Sequence, residues 1–188
     1  MKILIASPEA VPFAKTGGLA DVAGALFKEY AGMGKDACLI MPLYRRVREK
    51  FTLDDTGIKI KIPLGTKSLS GRIYSHSPFG KGMPKAYFIE CNELFDREEL
   101  YGTSSGDYSD NAARFVFFSR GILEACRALK LKPDIIHCND WQTGLVPLYL
   151  KTLYRSDKMF KETATLITIH NLGYQGLFPP TDMPVTGL

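Results

Sequence analysis

The spacing of apolar residues changes several times along the chain, and each change predicts an element. Lys2 to Ala6 is an Ile- and Leu-rich run of the kind a buried strand carries. A loop with Pro8 and Pro12 leads to Thr16-Gly17-Gly18. From there Leu19, Val22, Ala23, Leu26, Phe27 and Tyr30 recur on one helical face, and Gly32 and Gly34 predict the stop. Ala37 to Met41 predicts a second strand running into Pro42. Strand, glycine turn, helix, glycine, strand is a βαβ unit, which implies a right-handed crossover and a parallel sheet.

The middle differs. Ile58 to Ile62, Arg72 to Ser77 and Lys85 to Ile89 are short runs bounded by Gly, Pro and Ser, predicting a small antiparallel insertion. A polar loop, Asn92 to Asp107, precedes a long helix with Phe115, Val116, Ser119, Ile122, Leu123, Cys126 and Leu129 in period, ended by Lys132-Pro133. The βα rhythm then returns, with a strand at Asp134 to Cys138, a helix at Gln142 to Tyr154 and a strand at Thr163 to Ile169. His170 to Leu188 reads as a loop rich in Pro and Gly. The fold class is α/β, a mostly parallel sheet with helices on both faces, and one incomplete domain is expected across residues 1–188.

Composition narrows the function classes. With 188 residues, 45% apolar and 11% aromatic, the chain has the means to bury a core. The 24 Lys+Arg against 20 Asp+Glu give a net charge of +4, too scattered to point to nucleic acid. No apolar run approaches the ~20 residues of a membrane span, so no membrane partner is expected. Cys38, Cys91, Cys126 and Cys138 lie far apart without a CxxC pair, and buried, reduced thiols in a cytoplasmic protein are the expectation.

Ligands of open α/β sheets bind beyond the carboxyl ends of the strands. The residues that follow strands here are Glu9 with Lys15-Thr16-Gly17-Gly18, Asn139-Asp140-Trp141, and His170-Asn171. Lys15 to Gly18 opens a helix, where free N–H groups, the dipole and a mobile cation favour an anion such as phosphate. An ordinary glycine turn with a solvated Lys fits the same residues. Asp21 in the first helical turn, Asp140 before a helix and His170 at a strand end each have an equally plain structural reading. No GxGxxG, Walker or GxSxG pattern is present, which disfavours nicotinamide dinucleotides, P-loop chemistry and a serine hydrolase. His137 and Cys138 are adjacent on a strand and point to opposite faces, so no metal or other cofactor is expected.

Four segments carry a resemblance. SPEAVPFAKTGGLADVAGAL, LYGTSSGDYSDNAARFVFFSRGILE, IIHCNDWQTGLVPLYL and TLITIHNLGYQGLFP are similar to the signatures of bacterial glycogen synthases and plant starch synthases, in order from Lys2 to Pro179. The resemblance implies a Rossmann-like amino-terminal half of a glycosyltransferase B fold. It implies retaining transfer of glucose from ADP-glucose to the non-reducing end of an α-1,4-glucan (glycogen), without a metal. By it, His170, Asp140 and Glu9 are the catalytic candidates. Lys15, Gly17 and Gly18 would hold the donor diphosphate, Asp21 would lie near the donor glucose, Tyr101 on the acceptor side, and Asn171 would support the pocket. The family's carboxy-terminal domain is the missing partner, so little activity is expected of this chain alone. The rival reading is a non-catalytic α-glucan-binding domain.

Overall fold

The computed structural model describes all residues, 1–188. In chain order the elements are β1 (Lys2–Ala6), α1 (Gly18–Gly32), β2 (Asp36–Pro42), α2 (Arg45–Lys50), β3 (Asp54–Leu64), β4 (Lys67–His76) and β5 (Lys85–Glu90). Then follow α3 (Asn92–Phe95), β6 (Gly102–Thr103), β7 (Gly106–Asp107), α4 (Asn111–Ala128), β8 (Ile135–Asn139), α5 (Leu145–Lys151) and β9 (Ala164–Thr168). The main sheet has the order β3-β4-β5-β2-β1-β8-β9, and β6 with β7 forms a separate hairpin.

β1 lies parallel to both β2 and β8, and β8 parallel to β9, as the βαβ rhythm requires. β1, β2 and β8 are largely buried on both faces, whereas β9 is the exposed edge strand. Side chains alternate across β5, so neighbouring residues reveal the two layers. Phe88 meets Phe13 of the β1–α1 loop edge to face, with ring centroids 5.0 Å apart. On the other face the missing Cβ of Gly121 in α4 would sit 3.2 Å from Ile89.

Several sequence expectations shift. The antiparallel insertion is present as β3, β4 and β5, and it continues the main sheet because β5 also pairs parallel with β2. Those strands also run longer than their apolar cores, joined by a two-residue turn at Gly65, whose φ of 57° suits glycine. The segment after Cys91 is not merely a polar loop, since it folds as α3 and buries Leu94, Phe95 and Leu100. The predicted helix from Gln142 to Tyr154 splits into a 3₁₀ turn at Trp141–Thr143 and the short α5. Pro147 is tolerated there because it stands in the first turn, where its missing N–H has no helical partner. All four cysteines are free and buried. No helix is long and apolar enough to cross a membrane.

The buried face of α1 holds Leu19, Ala23 and Phe27 as expected, with Leu26 and Tyr30 partly buried against the core, but not Val22. Val22 is 43% exposed, while Ala20, Ala23, Gly24, Phe27 and Ala31 turn inward. Small residues let the helix approach the Val11 segment closely, and a Cβ at Gly24 would stand 2.5 Å from the Val11 carbonyl oxygen. Gly24→Ala is therefore expected to destabilise the chain by about 1–3 kcal/mol, the usual cost of overpacking. Urea denaturation measures it, and an unchanged midpoint would contradict this packing.

Candidate functional site at the carboxyl edge of the sheet

The parallel register places the ends of β1, β8 and β9 side by side, so all three predicted residue groups reach one edge. Two hydrogen-bonded clusters form there. The first is built on Glu9, which is 4% exposed. Its carboxylate accepts the Thr16 N–H, the Thr16 hydroxyl at 2.7 Å and the Tyr101 hydroxyl at 2.6 Å. A buried carboxylate with this donor set stays bound to its partners. Glu9 thus ties the loop before α1 to a tyrosine 92 residues away. Burial first, then the nearby Tyr44 and Glu9, pushes the Tyr101 phenol well above its ordinary range, so it remains a donor.

Behind Tyr101 lies a residue that sequence reasoning missed. Arg114 is fully buried on α4, donating to the Leu94 carbonyl at 2.8 Å and to Asn111 Oδ1 at 2.7 Å. Its guanidinium lies over the rings of Phe95, Tyr108 and Phe115 at 5.0–5.4 Å. Asn111 in turn donates to the Tyr101 carbonyl at 2.8 Å. An arginine interrupting the apolar run of α4 was the available signal.

The loop that Glu9 holds opens α1 without any side-chain cap. Gly17 has extended backbone, φ −145°, which any residue adopts. Added Cβ atoms at Gly17 and Gly18 would meet nothing within 4 Å. Neither glycine is required by the chain's own packing, and the space over the helix start is open. Lys15 Nζ stands beside it, paired with both carboxylate oxygens of Asp21 at 2.7 and 2.8 Å. Both side chains are about half exposed, and such a pair contributes only about 0–1 kcal/mol. A doubly charged anion at the helix start can therefore compete for Lys15.

The second cluster centres on Asp140, which has φ 57° and ψ −178°. A non-glycine residue in that region costs about 1–3 kcal/mol and persists only when its surroundings hold it. Asp140 N–H donates to the Thr168 carbonyl at 2.9 Å, and its own carbonyl accepts from Thr143. Its Oδ1 accepts the His170 N–H at 2.7 Å. The His170 ring meets Asn139 Oδ1 through Nε2 at 2.9 Å, and the His170 carbonyl accepts no backbone hydrogen bond. Asn139 also donates to the Ala6 carbonyl at 3.1 Å, linking this cluster to β1.

Asn171 does not join either cluster. It is exposed, and its Oδ1 accepts the Gly173 N–H at 2.8 Å in a local turn. Trp141 is wedged between Phe115 and Phe178, with centroids 4.9 and 5.4 Å away, and Gly176 lies flat on its ring. Phe115, Phe117 and Phe118 are core.

Glu9→Gln replaces one acceptor oxygen with a donor facing Thr16 or Tyr101. A stability loss of about 1–3 kcal/mol is expected, larger than the ~0.5–1.5 kcal/mol of Tyr101→Phe. Chemical denaturation of both variants checks this, and equal stability of Glu9→Gln and wild type would contradict it.

Residues 2–188 match the family described as the starch synthase catalytic domain. The glycogen synthase of Thermodesulfovibrio yellowstonii is 48% identical over 201 residues, covering 100% of this chain and 40% of its own length. That of Syntrophotalea carbinolica is 50% identical over 189 residues, covering 100% and 38%. Among solved structures, the catalytic domain of starch synthase IV from Arabidopsis thaliana, bound to ADP and acarbose, aligns with a TM-score of 0.84 at 30% identity. That alignment covers 100% of this chain and 37% of the other. The chain thus spans about two fifths of the length of the relatives it matches. The sheet order, the family match and the relatives agree, and the chain belongs to the glycogen and starch synthase family of glycosyltransferases.

Proposed function

We propose that this chain supplies one wall of a glucosyltransferase site that moves glucose from ADP-glucose to the non-reducing end of an α-1,4-glucan with retention. The observation that carries the proposal is the uncapped start of α1, with open space over Gly17 and Gly18 and Lys15 beside it. It lies on the same sheet edge as Asp140 and His170. The Arabidopsis relative's bound ADP and acarbose, a diphosphate and an oligosaccharide mimic, are the ligand types such an edge would take.

The chemistry places distinct demands on the two clusters. The bond from the anomeric carbon to the diphosphate oxygen breaks, and its electron pair leaves with the phosphate. The acceptor hydroxyl oxygen bonds the same carbon, and its proton passes to the departing phosphate. Negative charge therefore grows on the diphosphate, where the α1 N–H groups and Lys15 stabilise it, once Lys15 is released from Asp21. Positive charge grows on the sugar, where the unpartnered His170 carbonyl and the Asp140 carboxylate face it. The His170 ring and Asp21 orient sugar hydroxyls, and Tyr101 flanks the acceptor side. Glu9 acts through the loop it anchors, and Asn171 by shaping the turn after His170. The remainder of the relatives' length would supply the other wall and the adenosine site.

The second reading, a glucan-binding module without transfer, draws on the same Tyr101 and Asp140 but leaves the open helix start without a task.

The test joins this chain to the remaining segment of the T. yellowstonii relative and follows labelled glucose from ADP-glucose into glycogen. Gly18→Ala and Lys15→Ala are each expected to weaken donor use by about 10–100-fold, matching ~1.5–3 kcal/mol for hydrogen bonds to a charged group. Gly18→Ala leaves folding stability intact or slightly raised, because nothing in the chain fills that space. His170→Ala lowers turnover more than glucan affinity. Unchanged donor use in both loop variants would refute the proposal.

A further inference from the structure

Asn139 is fully buried, and its side-chain amide is oriented without ambiguity. Its Nδ2 faces two carbonyl oxygens, those of Ala6 and His137, each at 3.1 Å. Carbonyl oxygens only accept, so the NH₂ group must point at them. The opposite atom, Oδ1, therefore faces His170 Nε2, at 2.9 Å. An amide oxygen also only accepts, so Nε2 must carry the hydrogen.

We infer that Asn139 is a positioning residue that locks His170 in its Nε2–H form and leaves Nδ1 as a bare acceptor for a sugar hydroxyl. The inference rests on the proposed glucosyltransferase reading for the identity of the ligand, and on the chain alone for the tautomer. His170 Nδ1 has no partner within the chain, so it is the one ring nitrogen able to meet a ligand. A ring held this way with Nδ1 bare accepts an O–H and turns away a carbonyl, ether or carboxylate oxygen at the same place. The site would then select hydroxylated sugar over an oxidised one at that contact.

The neighbouring groups keep the arrangement fixed. His137 Nε2 pairs with the Thr168 hydroxyl at 2.7 Å. Burial, and then the neighbouring His170, push the His137 imidazole below its ordinary range, so it adds no cation beside the ring. The His170 N–H is anchored on Asp140 Oδ1 at 2.7 Å. Consecutive residues at the end of β8 thus hold the backbone and the ring of one histidine.

Two-bond ¹⁵N–¹H spectra of the histidine-labelled chain at neutral pH read the tautomer directly. For His170 a single Nε2–H species is expected, and Asn139→Ala is expected to relax it to the mixture of a free imidazole. Asn139→Ser replaces the alanine variant if that protein does not fold. An Nδ1–H species or a mixture in the wild type would overturn the inference, as would a folded variant that keeps the single tautomer. The outcome requires no substrate. A locked tautomer together with normal transfer by His170→Ala would remove the glucosyltransferase role of the ring and leave the role of Asn139 standing.

Discussion

The buried carboxylate of Glu9 is the interaction on which the edge depends. Removing a charge from water is costly unless hydrogen bonds replace the lost hydration, and Thr16 and Tyr101 supply all that Glu9 accepts. Both partners come from loops, which the sheet alone does not position. One sits just before α1, the other just before the β6–β7 hairpin. Their common carboxylate turns two loops into one wall, backed by the aromatic and cationic packing around Arg114. The helix start can then remain uncapped and open, because its approach is fixed from outside the helix.

The second cluster works by an equivalent principle at the end of β8. Asp140 adopts a backbone conformation that its side chain disfavours, and bonds to Thr168, Thr143 and His170 hold it there. The parallel pairing of β8 with β9 is what brings these partners within reach. Strain at a strand end is offset here by a network reaching a histidine. Asp140 is not a side-chain N-cap, since its carboxylate makes no capping bond to the turn that follows and accepts the His170 N–H instead.

Much of the frame was legible in the sequence because parallel sheets announce themselves through apolar strands and glycine-bounded helices. The same rule predicts Lys15, Asp140 and His170 at one edge. Contacts between distant loops left no periodic trace. Nothing in the spacing linked Glu9 to Tyr101, or marked Arg114 as buried, and Asn139 read only as a neighbour of Asp140. Val22 was misplaced on the packed face of α1 because periodicity counts large apolar residues, whereas close approach there is governed by small ones such as Ala20 and Gly24. Asn171, singled out beside His170, forms a local turn with Gly173, a detail that adjacency in sequence cannot foresee.

Titration of the ¹⁵N-labelled chain with pyrophosphate and then ADP-glucose, followed amide by amide, tests the central claim most directly. The account predicts saturable shifts concentrated on Thr16 to Ala20, with Lys15 released from Asp21, and further shifts at His170 with the sugar-bearing ligand. Shifts scattered over the surface, or confined to other edges of the sheet, would contradict it.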